Sequence, residues 1–306
     1  MRFVSYHDAK GDSYGLLLAS GDILNLPAAA DLAGKNLPSA GMLAFIAAGE
    51  PALAAARRLA GAAGESRLAP AIRKAGTYRL RAPIPRPLKN VFCVGRNYRD
   101  HVAEGARVAG VAPSLPKYPQ FFTKPPTAVI GPGEPFHHDP KVTQRLDYEV
   151  ELAVIIGRTG RDIVPAQAFD HVFGFTIVND ITGRDLQRQH EQWFKGKGLD
   201  GSCPMGPAIV ERGAIVDVGS LELSLTVDGE KRQHAHVRDM IFDIPAIIAS
   251  LSKGMTLEPG DIIATGTPSG AGFAMDPPRY LEAGNVVECR ISELGELTTP
   301  IAGRGA

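Results

Sequence analysis

The sequence has few cysteines, and it lacks the long apolar runs that mark membrane and secreted proteins. Cys93, Cys203 and Cys289 lie far apart and form no C-x-x-C pair, so a reducing compartment is expected rather than a disulfide framework. No apolar run approaches the length of a membrane span, and the first residues carry no signal-like apolar block. The sequence therefore predicts a soluble cytoplasmic protein without a membrane partner.

An excess of charge is also missing, because 33 Lys plus Arg residues balance 33 Asp plus Glu residues. Without a basic excess, we expect no nucleic-acid partner. The phosphate-loop pattern Gly-x-x-x-x-Gly-Lys-Ser/Thr is absent from the chain, which argues against ATP chemistry. The segment 190–194 begins like a zinc-protease helix but has no second histidine. Any attraction for a charged ligand must therefore be local.

Strand patterns dominate the sequence from Lys89 onward, and helix patterns are few. Before that point, residues 1–26 predict short strands and residues 52–60 predict an amphipathic helix. The segment 82–88 has prolines at alternate positions, which favours an extended chain and a domain boundary. No regular alternation of strands and helices is present. We predict an α+β, mostly β protein, with a small N-terminal α+β domain at 1–82 and a closed or rolled sheet at 83–306.

The acidic residues of the stretch 147–185 are the strongest indication of function. Asp147, Glu149 and Glu151 alternate with apolar residues, and the period of a strand places their carboxylates on one face. A second strand pattern ends at Asp180. One interpretation is a strand whose polar face contacts water. The other is a divalent-cation site, since carboxylates converging without His or Cys suit Mg²⁺, Mn²⁺ or Ca²⁺.

A histidine and a glutamate form a second candidate group. His101 and Glu104 are three residues apart, so on a helix they share a face. A carboxylate beside an imidazole orients the ring and raises its basicity, as a general base requires. The alternative is an exposed helix ion pair. The segment 106–118 that follows has the composition of a mobile loop that closes over a site.

Further polar residues follow Asp180. The segment 181–188 predicts a helix, on which Arg184 and Gln187 share one face. The segment 195–201 is basic and rich in glycine, and we predict a loop there that binds a carboxylate or a phosphate.

Together these pieces resemble the fumarylacetoacetate hydrolase family. Each motif alone is weak, but their common order from Lys89 to Val287 is specific. The matching motifs are Val94-Gly95-Arg96-Asn97-Tyr98-x-x-His101, Lys124-Pro125, Glu149-x-Glu151-Leu152, Asp180-x-x-x-Arg184-Asp185, Lys197, Cys203-Pro204, Gly260-Asp261-Ile262 and Thr265-Gly266-Thr267-Pro268-x-Gly270.

The resemblance implies a mixed β-sandwich roll that is usually dimeric, and it implies a set of site residues. The implied ligands of Mg²⁺ or Mn²⁺ are Glu149, Glu151 and Asp180. The implied catalytic residues are His101 and Glu104, which activate water from a lid, together with Lys197. The implied substrate-binding residues are Arg96, Arg184, Gln187 and Thr267, with Lys124 as a supporting partner.

The resemblance fixes the site better than the reaction. Our first hypothesis is hydrolysis of a C–C bond in an acylpyruvate-type β-diketo acid, such as fumarylpyruvate, in the breakdown of aromatic compounds. The alternative is an oxaloacetate-type decarboxylase, or a keto-enol isomerase or dehydratase, on the same metal site. A third hypothesis is a metal-binding protein without catalysis. The expected partners are a small anionic keto acid and a second copy of the chain in a homodimer.

Overall fold

The fold is known from a computed structural model that describes residues 1–303. Strands supply most of its regular structure. The strands are β1 (Arg2–Asp8), β2 (Gly11–Leu17), β3 (Ile23–Asn25), β4 (Ile72–Arg73), β5 (Arg79–Leu80), β6 (Val91–Gly95), β7 (Gln120–Lys124), β8 (Val129–Ile130), β9 (Phe136–His138), β10 (Leu146–Asp147), β11 (Val150–Ile156), β12 (Val172–Asn179), β13 (Thr182–Gly183), β14 (Cys203–Glu211), β15 (Glu222–Val227), β16 (Glu230–His236), β17 (Ile262–Ala264), β18 (Val286–Ile291) and β19 (Gly295–Gly303).

Helices are short, and most of them lie in the first third of the chain or around the cavity described below. The α-helices are α1 (Leu26–Leu32), α2 (Met42–Ala47), α3 (Gly49–Gly61), α4 (Arg99–Ala109), α5 (Arg184–Gln189), α6 (Phe194–Lys197) and α7 (Ile244–Ser252). Short 3-10 helices lie at Ser66–Ala71, Pro126–Ala128, Pro165–His171, Arg212–Ala214, Val218–Ser220, Val237–Asp239 and Gly272–Ala274. Within residues 1–303, no helix has the length and apolar content to cross a membrane.

Two sheets pack against each other around the main core. The larger sheet has the order β4-β3-β2-β1-β14-β12-β11-β17-β6-β7, and the smaller has the order β16-β15-β18-β19-β9. β5 and β8 join the larger sheet through β1 and β14, while β10 and β13 form a separate pair. The predicted α+β, mostly β class and the mixed sandwich roll are confirmed, and the sheets do not close into a barrel.

Strand β11 is buried on both faces, as its apolar sequence predicts. Leu152 and Val154 belong to the core between the two sheets. Ala153 and Ile155 belong to the second core, on the opposite face, which the N-terminal helices cover. Because side chains alternate along a strand, Glu151 lies on the same face as Ala153 and Ile155. A carboxylate is thereby held inside the protein, where the apolar part of the strand begins.

The N-terminal segment continues the larger sheet. Phe3 of β1 pairs with Ile209 of β14, and Phe3 packs in the same core cluster as Ala153. The domain boundary between residues 82 and 83 stays a prediction. The segment Gly11–Gly15 has the Gly-x-Ser-x-Gly spacing of a nucleophile elbow, but it lies within β2 of an antiparallel hairpin and not at a strand-to-helix turn.

Two local expectations are wrong. The loop expected from residue 106 begins only at Gly110, because the Ala- and Arg-rich end of α4 continues the helix and Gly110 ends it in the left-handed conformation, with φ of 69°. Part of the glycine-rich segment 195–201 is helical, since α6 ends at Lys197.

Candidate active site

Three buried carboxylates meet at one edge of the β11–β12 pair. Glu149 precedes β11, Glu151 lies near its start, and Asp180 directly follows β12. The two strands are antiparallel, so the start of one lies beside the end of the other. One carboxylate oxygen from each of the three residues lies within 4.8 Å of the others. The sequence prediction that these side chains converge is therefore confirmed by their positions.

Buried cations surround two of these carboxylates. Lys197 Nζ donates to Glu149 Oε2 and to Asp180 Oδ2, at 2.6 Å in both cases. Lys124 Nζ, which is fully buried, donates to Asp180 Oδ1 at 2.6 Å. Arg184 Nη2 donates to Glu149 Oε1 at 2.6 Å. Glu149 and Asp180 are thus each paired with two cationic groups.

Glu151 differs from its neighbours, because it accepts a hydrogen bond from the Gly266 N–H at 2.9 Å and forms no ion pair within residues 1–303. Burial and the negative charges of Asp180 and Glu149 raise the pKa of Glu151 well above its usual range. Burial also acts to raise the pKa of Glu149, but Arg184 and Lys197 outweigh it and lower that pKa.

This difference tests whether the site fits a metal ion. A divalent cation among the three carboxylates would take the place of the proton that the raised pKa favours on Glu151, and would balance the negative charge of the ionised group. The donor atoms are all carboxylate oxygens, which suits Mg²⁺ or Mn²⁺. Sulfur ligation is not expected, because burial raises the pKa of the Cys203 thiol to about 12 and also raises the pKa of Cys93. The residues present therefore fit a hard divalent cation.

Asp147 does not belong to the triad, so the expectation that three carboxylates share one strand face is wrong. Its strand, β10, ends at Asp147, and β11 begins only at Val150, so the strand period is interrupted between them. The fully buried Asp147 accepts from Arg184 Nε at 2.8 Å and from the N–H groups of Gly272 and Phe273 at 2.8 and 3.2 Å. Asp147 therefore links Arg184 to the turn that carries Phe273.

His101 and Glu104 lie on α4 and form the predicted pair, with 2.7 Å between His101 Nδ1 and Glu104 Oε1. The second oxygen of Glu104 accepts from the Gly270 N–H at 2.9 Å. An ionised carboxylate only accepts hydrogen bonds, so this contact selects the tautomer of a neutral imidazole that carries its proton on Nδ1 and its lone pair on Nε2. The two side chains are only 12% and 11% exposed, which does not match the alternative of an exposed ion pair.

One cavity of about 830 Å³ brings these groups together. Glu104 and Asp180 do not line the cavity themselves. Glu104 is hydrogen-bonded to the lining residue His101, and Asp180 is hydrogen-bonded to the lining residue Lys197. The predicted site residues that line it are Arg96, His101, Glu149, Glu151, Arg184, Gln187, Lys197 and Thr267. The structure thus places every predicted site residue at or directly beside a single cavity, and the roles given to them stay predictions.

Two of the predicted substrate-binding residues are already held by protein partners. The Arg184 guanidinium contacts Asp147 and Glu149, and its Nη1 donates to Gln187 Oε1 at 3.2 Å. It also lies over the Phe273 ring, with 4.5 Å to the centroid. Thr267 Oγ1 donates to the Val150 carbonyl at 3.0 Å. We interpret Arg184 as a residue that positions Glu149 rather than a free binding group for substrate.

Three residues that line or support the site were missed by the sequence reasoning. Phe273 packs edge-on against His101, with 6.2 Å between the ring centroids. The buried Gln233 donates through Nε2 to Thr267 Oγ1 at 2.9 Å. The Trp193 ring lies so close to Gly95 that a Cβ added at residue 95 would be 2.1 Å from the ring. Only Trp193 carried a usable signal, as the single tryptophan of the chain; the other two contacts depend on distant parts of the sequence.

Comparison with known proteins finds the same family throughout. The fumarylacetoacetate (FAA) hydrolase C-terminal family profile matches residues 90–302. Oxaloacetate tautomerase YisK of Bacillus subtilis is 50% identical over 223 residues, 73% of each chain. The mitochondrial oxaloacetate tautomerase fahd2 of Xenopus laevis is 40% identical over 224 residues, 72% of this chain and 68% of that protein. The solved fumarylacetoacetate hydrolase of Exiguobacterium antarcticum is 37% identical with a TM-score of 0.83, covering 99% of this chain and 100% of that chain.

Proposed function

Because this chain belongs to the fumarylacetoacetate hydrolase family, we propose that it is an enzyme that interconverts the keto and enol forms of oxaloacetate or a closely related 2-oxo acid. The observation that carries the proposal is the shared cavity, which joins a three-carboxylate cation site to the His101–Glu104 pair. Two relatives named oxaloacetate tautomerase support this alternative better than the acylpyruvate hydrolysis that we first inferred from the sequence.

Keto–enol exchange moves one proton between carbon and oxygen and breaks no C–C bond. It needs a base at the carbon and positive charge near the oxygen. His101 Nε2 is the base, and Glu104 holds the ring with its lone pair available. His101 removes a proton from the carbon next to the oxo group and returns it to the oxygen, which gives the enol and leaves the imidazole neutral again.

The charge near the oxygen has two sources. Burial acts to lower the pKa of Lys197, but Asp180 and Glu149 outweigh it and raise that pKa, so the ammonium group remains charged. A Mg²⁺ or Mn²⁺ ion, when held by Glu149, Glu151 and Asp180, supplies positive charge that polarises the oxo group. The apolar side chains of Val102, Ala106 and others form part of the cavity wall, and a less polar surrounding strengthens these interactions.

Acylpyruvate hydrolysis is the second candidate. The cavity of about 830 Å³ has room for more than a four-carbon acid, and the same histidine would then take a proton from water. The name of the Exiguobacterium antarcticum structure also supports a hydrolase. Decarboxylation of oxaloacetate needs the same positive charge near the oxo group. It is distinguished from tautomerisation because it releases pyruvate.

The experiment follows enol-oxaloacetate with Mg²⁺ or Mn²⁺, and again with EDTA. The ultraviolet absorbance of the enol and the release of pyruvate are recorded together. We expect faster loss of the enol without pyruvate release, and loss of the acceleration with EDTA. Pyruvate formed at the rate of enol loss would identify a decarboxylase instead. Cleavage of acetylpyruvate or fumarylpyruvate, with no effect on enol-oxaloacetate, would restore the hydrolase.

The remaining expectations concern the setting of the enzyme. We propose a homodimer in the cytoplasm that acts on a small anionic keto acid. The exposed side chains of Tyr118, just before the edge strand β7, and of Phe121, within it, support a contact with a second copy. Sedimentation velocity measures the mass of the particle, and a monomer at micromolar concentration would contradict the dimer.

A further inference from the structure

The cavity contains four cationic side chains, and they differ in what they contact. Lys197 and Arg184 are buried and committed to carboxylates of the protein. Arg96 is half-buried, and its Nη2 donates to the Ser114 carbonyl at 2.8 Å. Arg188 lines the cavity as well, and within residues 1–303 it has no hydrogen-bond or ion-pair partner. Arg188 is therefore the cation of this cavity that is free to bind an anion.

The helix α5 places this arginine relative to the buried site. Arg184 and Arg188 are one turn apart on α5, about 6 Å along the helix axis, and residues four apart lie on one face. Arg184 is buried beside Glu149, whereas Arg188 is exposed. The cavity lining thus includes two arginines one helix turn apart, of which Arg184 contacts the triad residue Glu149 and Arg188 has no partner within residues 1–303. This spacing is comparable with the length of a four-carbon diacid.

We propose that Arg188 binds the second carboxylate of a dicarboxylic substrate, such as the carboxylate of oxaloacetate that lies farther from the oxo group. This inference rests on the proposed function and specifies the substrate class of the same site. The first carboxylate and the oxo group lie at the buried end, near Lys197 and the triad. A guanidinium suits the outer position, because its planar fork makes two parallel hydrogen bonds to a carboxylate.

One feature near Arg188 opposes carboxylate binding, and another gives the arginine a different possible role. Glu191 lines the same cavity three residues after Arg188, and its negative charge competes for the guanidinium. Arg188 also stands in the last turn of α5, where a positive charge is favourable beside the carbonyl end of a helix. A residue that only stabilised the helix end would not distinguish between substrates, and this difference defines the test.

The test compares two substrates that differ only in the second charge: enol-oxaloacetate and its 4-methyl monoester, which keeps the carboxylate beside the oxo group. We expect Arg188→Gln to raise KM for oxaloacetate about tenfold, with little change in kcat and in KM for the monoester. Arg188→Lys should recover part of the loss, because it restores the charge without the fork. Arg161→Gln, which removes an exposed arginine outside the cavity lining, is the charge control.

The outcomes separate this inference from the proposed function. If the wild-type protein converts both substrates and Arg188→Gln changes their KM values equally or not at all, the subsite is wrong and the tautomerase stands. If Arg96→Gln removes the preference for oxaloacetate and Arg188→Gln does not, the second carboxylate binds at Arg96 and our assignment is overturned. If the wild-type protein converts neither substrate, the proposed function fails and the inference fails with it.

Discussion

The two sides of the cavity are built differently. On one side, Glu149, Glu151 and Asp180 are buried where β11 and β12 meet in the larger sheet, and cations with little exposure to water hold Glu149 and Asp180. On the other side, His101 lies on α4, a helix that ends in the exposed segment after Gly110. Buried ion pairs hold Glu149 and Asp180 on the first side, as a cation site needs. On the second side, two hydrogen bonds of Glu104 and the edge-on contact with Phe273 hold the base, and within residues 1–303 no buried ion pair fixes it to the sheet.

The comparison predicts that substitutions on the buried side affect folding as well as function. Asp180→Ala leaves Lys124 and Lys197 without a shared buried partner, so we expect the free energy of unfolding to fall by about 3–5 kcal/mol. Urea denaturation measures this change. Glu65→Ala, which breaks an exposed ion pair with Arg67, is the control and should change stability little. Equal stability of Asp180→Ala and wild type would show that the buried charges are not coupled as described.

Substitution on the α4 side is expected to affect catalysis alone. His101→Ala removes the base, so kcat should fall by about 10²–10⁴-fold, while Mn²⁺ affinity and the urea midpoint stay close to those of the wild type. Glu104→Gln keeps the shape but weakens the orientation of the ring, and its effect on kcat should be smaller. The measurements are initial rates of enol loss and Mn²⁺ titration by calorimetry. A His101→Ala protein with full activity would remove His101 from the mechanism.

A smaller effect is expected at Asp147, which supports the buried side without touching the cation site. Asp147→Asn keeps an acceptor for the N–H groups of Gly272 and Phe273 but removes the charge beside Arg184. Loss of one charge-assisted hydrogen bond corresponds to about 1.5–3 kcal/mol of stability. We also expect lower kcat, because Arg184 and Phe273 are then less well fixed. Wild-type values of both quantities would indicate that Arg184 does not depend on Asp147.

The raised pKa of Glu151 on the buried side predicts that both stability and metal binding depend on pH. Folding raises the pKa of Glu151 above its ordinary value of 4.5, so the folded chain binds that proton more tightly than the unfolded chain. The metal-free protein therefore loses this contribution to stability as pH rises from the ordinary pKa toward the raised one. A cation must displace this proton. Mn²⁺ affinity should therefore fall about tenfold for each unit by which the pH decreases below the raised pKa of Glu151.

Glu151→Gln is the matched control for this pH dependence. The amide side chain carries no negative charge, so the Mn²⁺ affinity of this variant should be weaker at every pH. The amide also does not titrate in this range, so the part of the pH dependence that Glu151 causes should disappear. Calorimetric titrations at several pH values compare the two proteins. An identical pH profile in wild type and Glu151→Gln would mean that another group controls the proton release.

The sequence was sufficient for the features that depend on local spacing. The alternation around Glu149 and Glu151, the strand end at Asp180 and the three-residue spacing of His101 and Glu104 are all local patterns, and the structure brings these side chains to one cavity. The resemblance to the fumarylacetoacetate hydrolase family is confirmed by the match over residues 90–302. The broad fold class followed from strand patterns of the same local kind.

The features that were missed depend on contacts between distant segments. Asp147 shares the spacing of Glu149, but the break before β11 and its contacts with Gly272 and Phe273 take it out of the triad. Gln233 supports Thr267 across a wide sequence separation, and no local pattern indicates that pairing. The choice between hydrolysis and tautomerisation also lies beyond the motifs, because the mechanisms proposed for both reactions assign the same carboxylates and the same base.

The central claim is that a cation at the buried side and the base on α4 act on one substrate. The most direct measurement is the rate of enol-oxaloacetate conversion by wild type and His101→Ala, each with saturating Mn²⁺ and each with EDTA. We predict rapid conversion only by wild type with Mn²⁺, together with wild-type Mn²⁺ binding by His101→Ala. Equal conversion by the wild-type protein with Mn²⁺ and with EDTA would contradict the account.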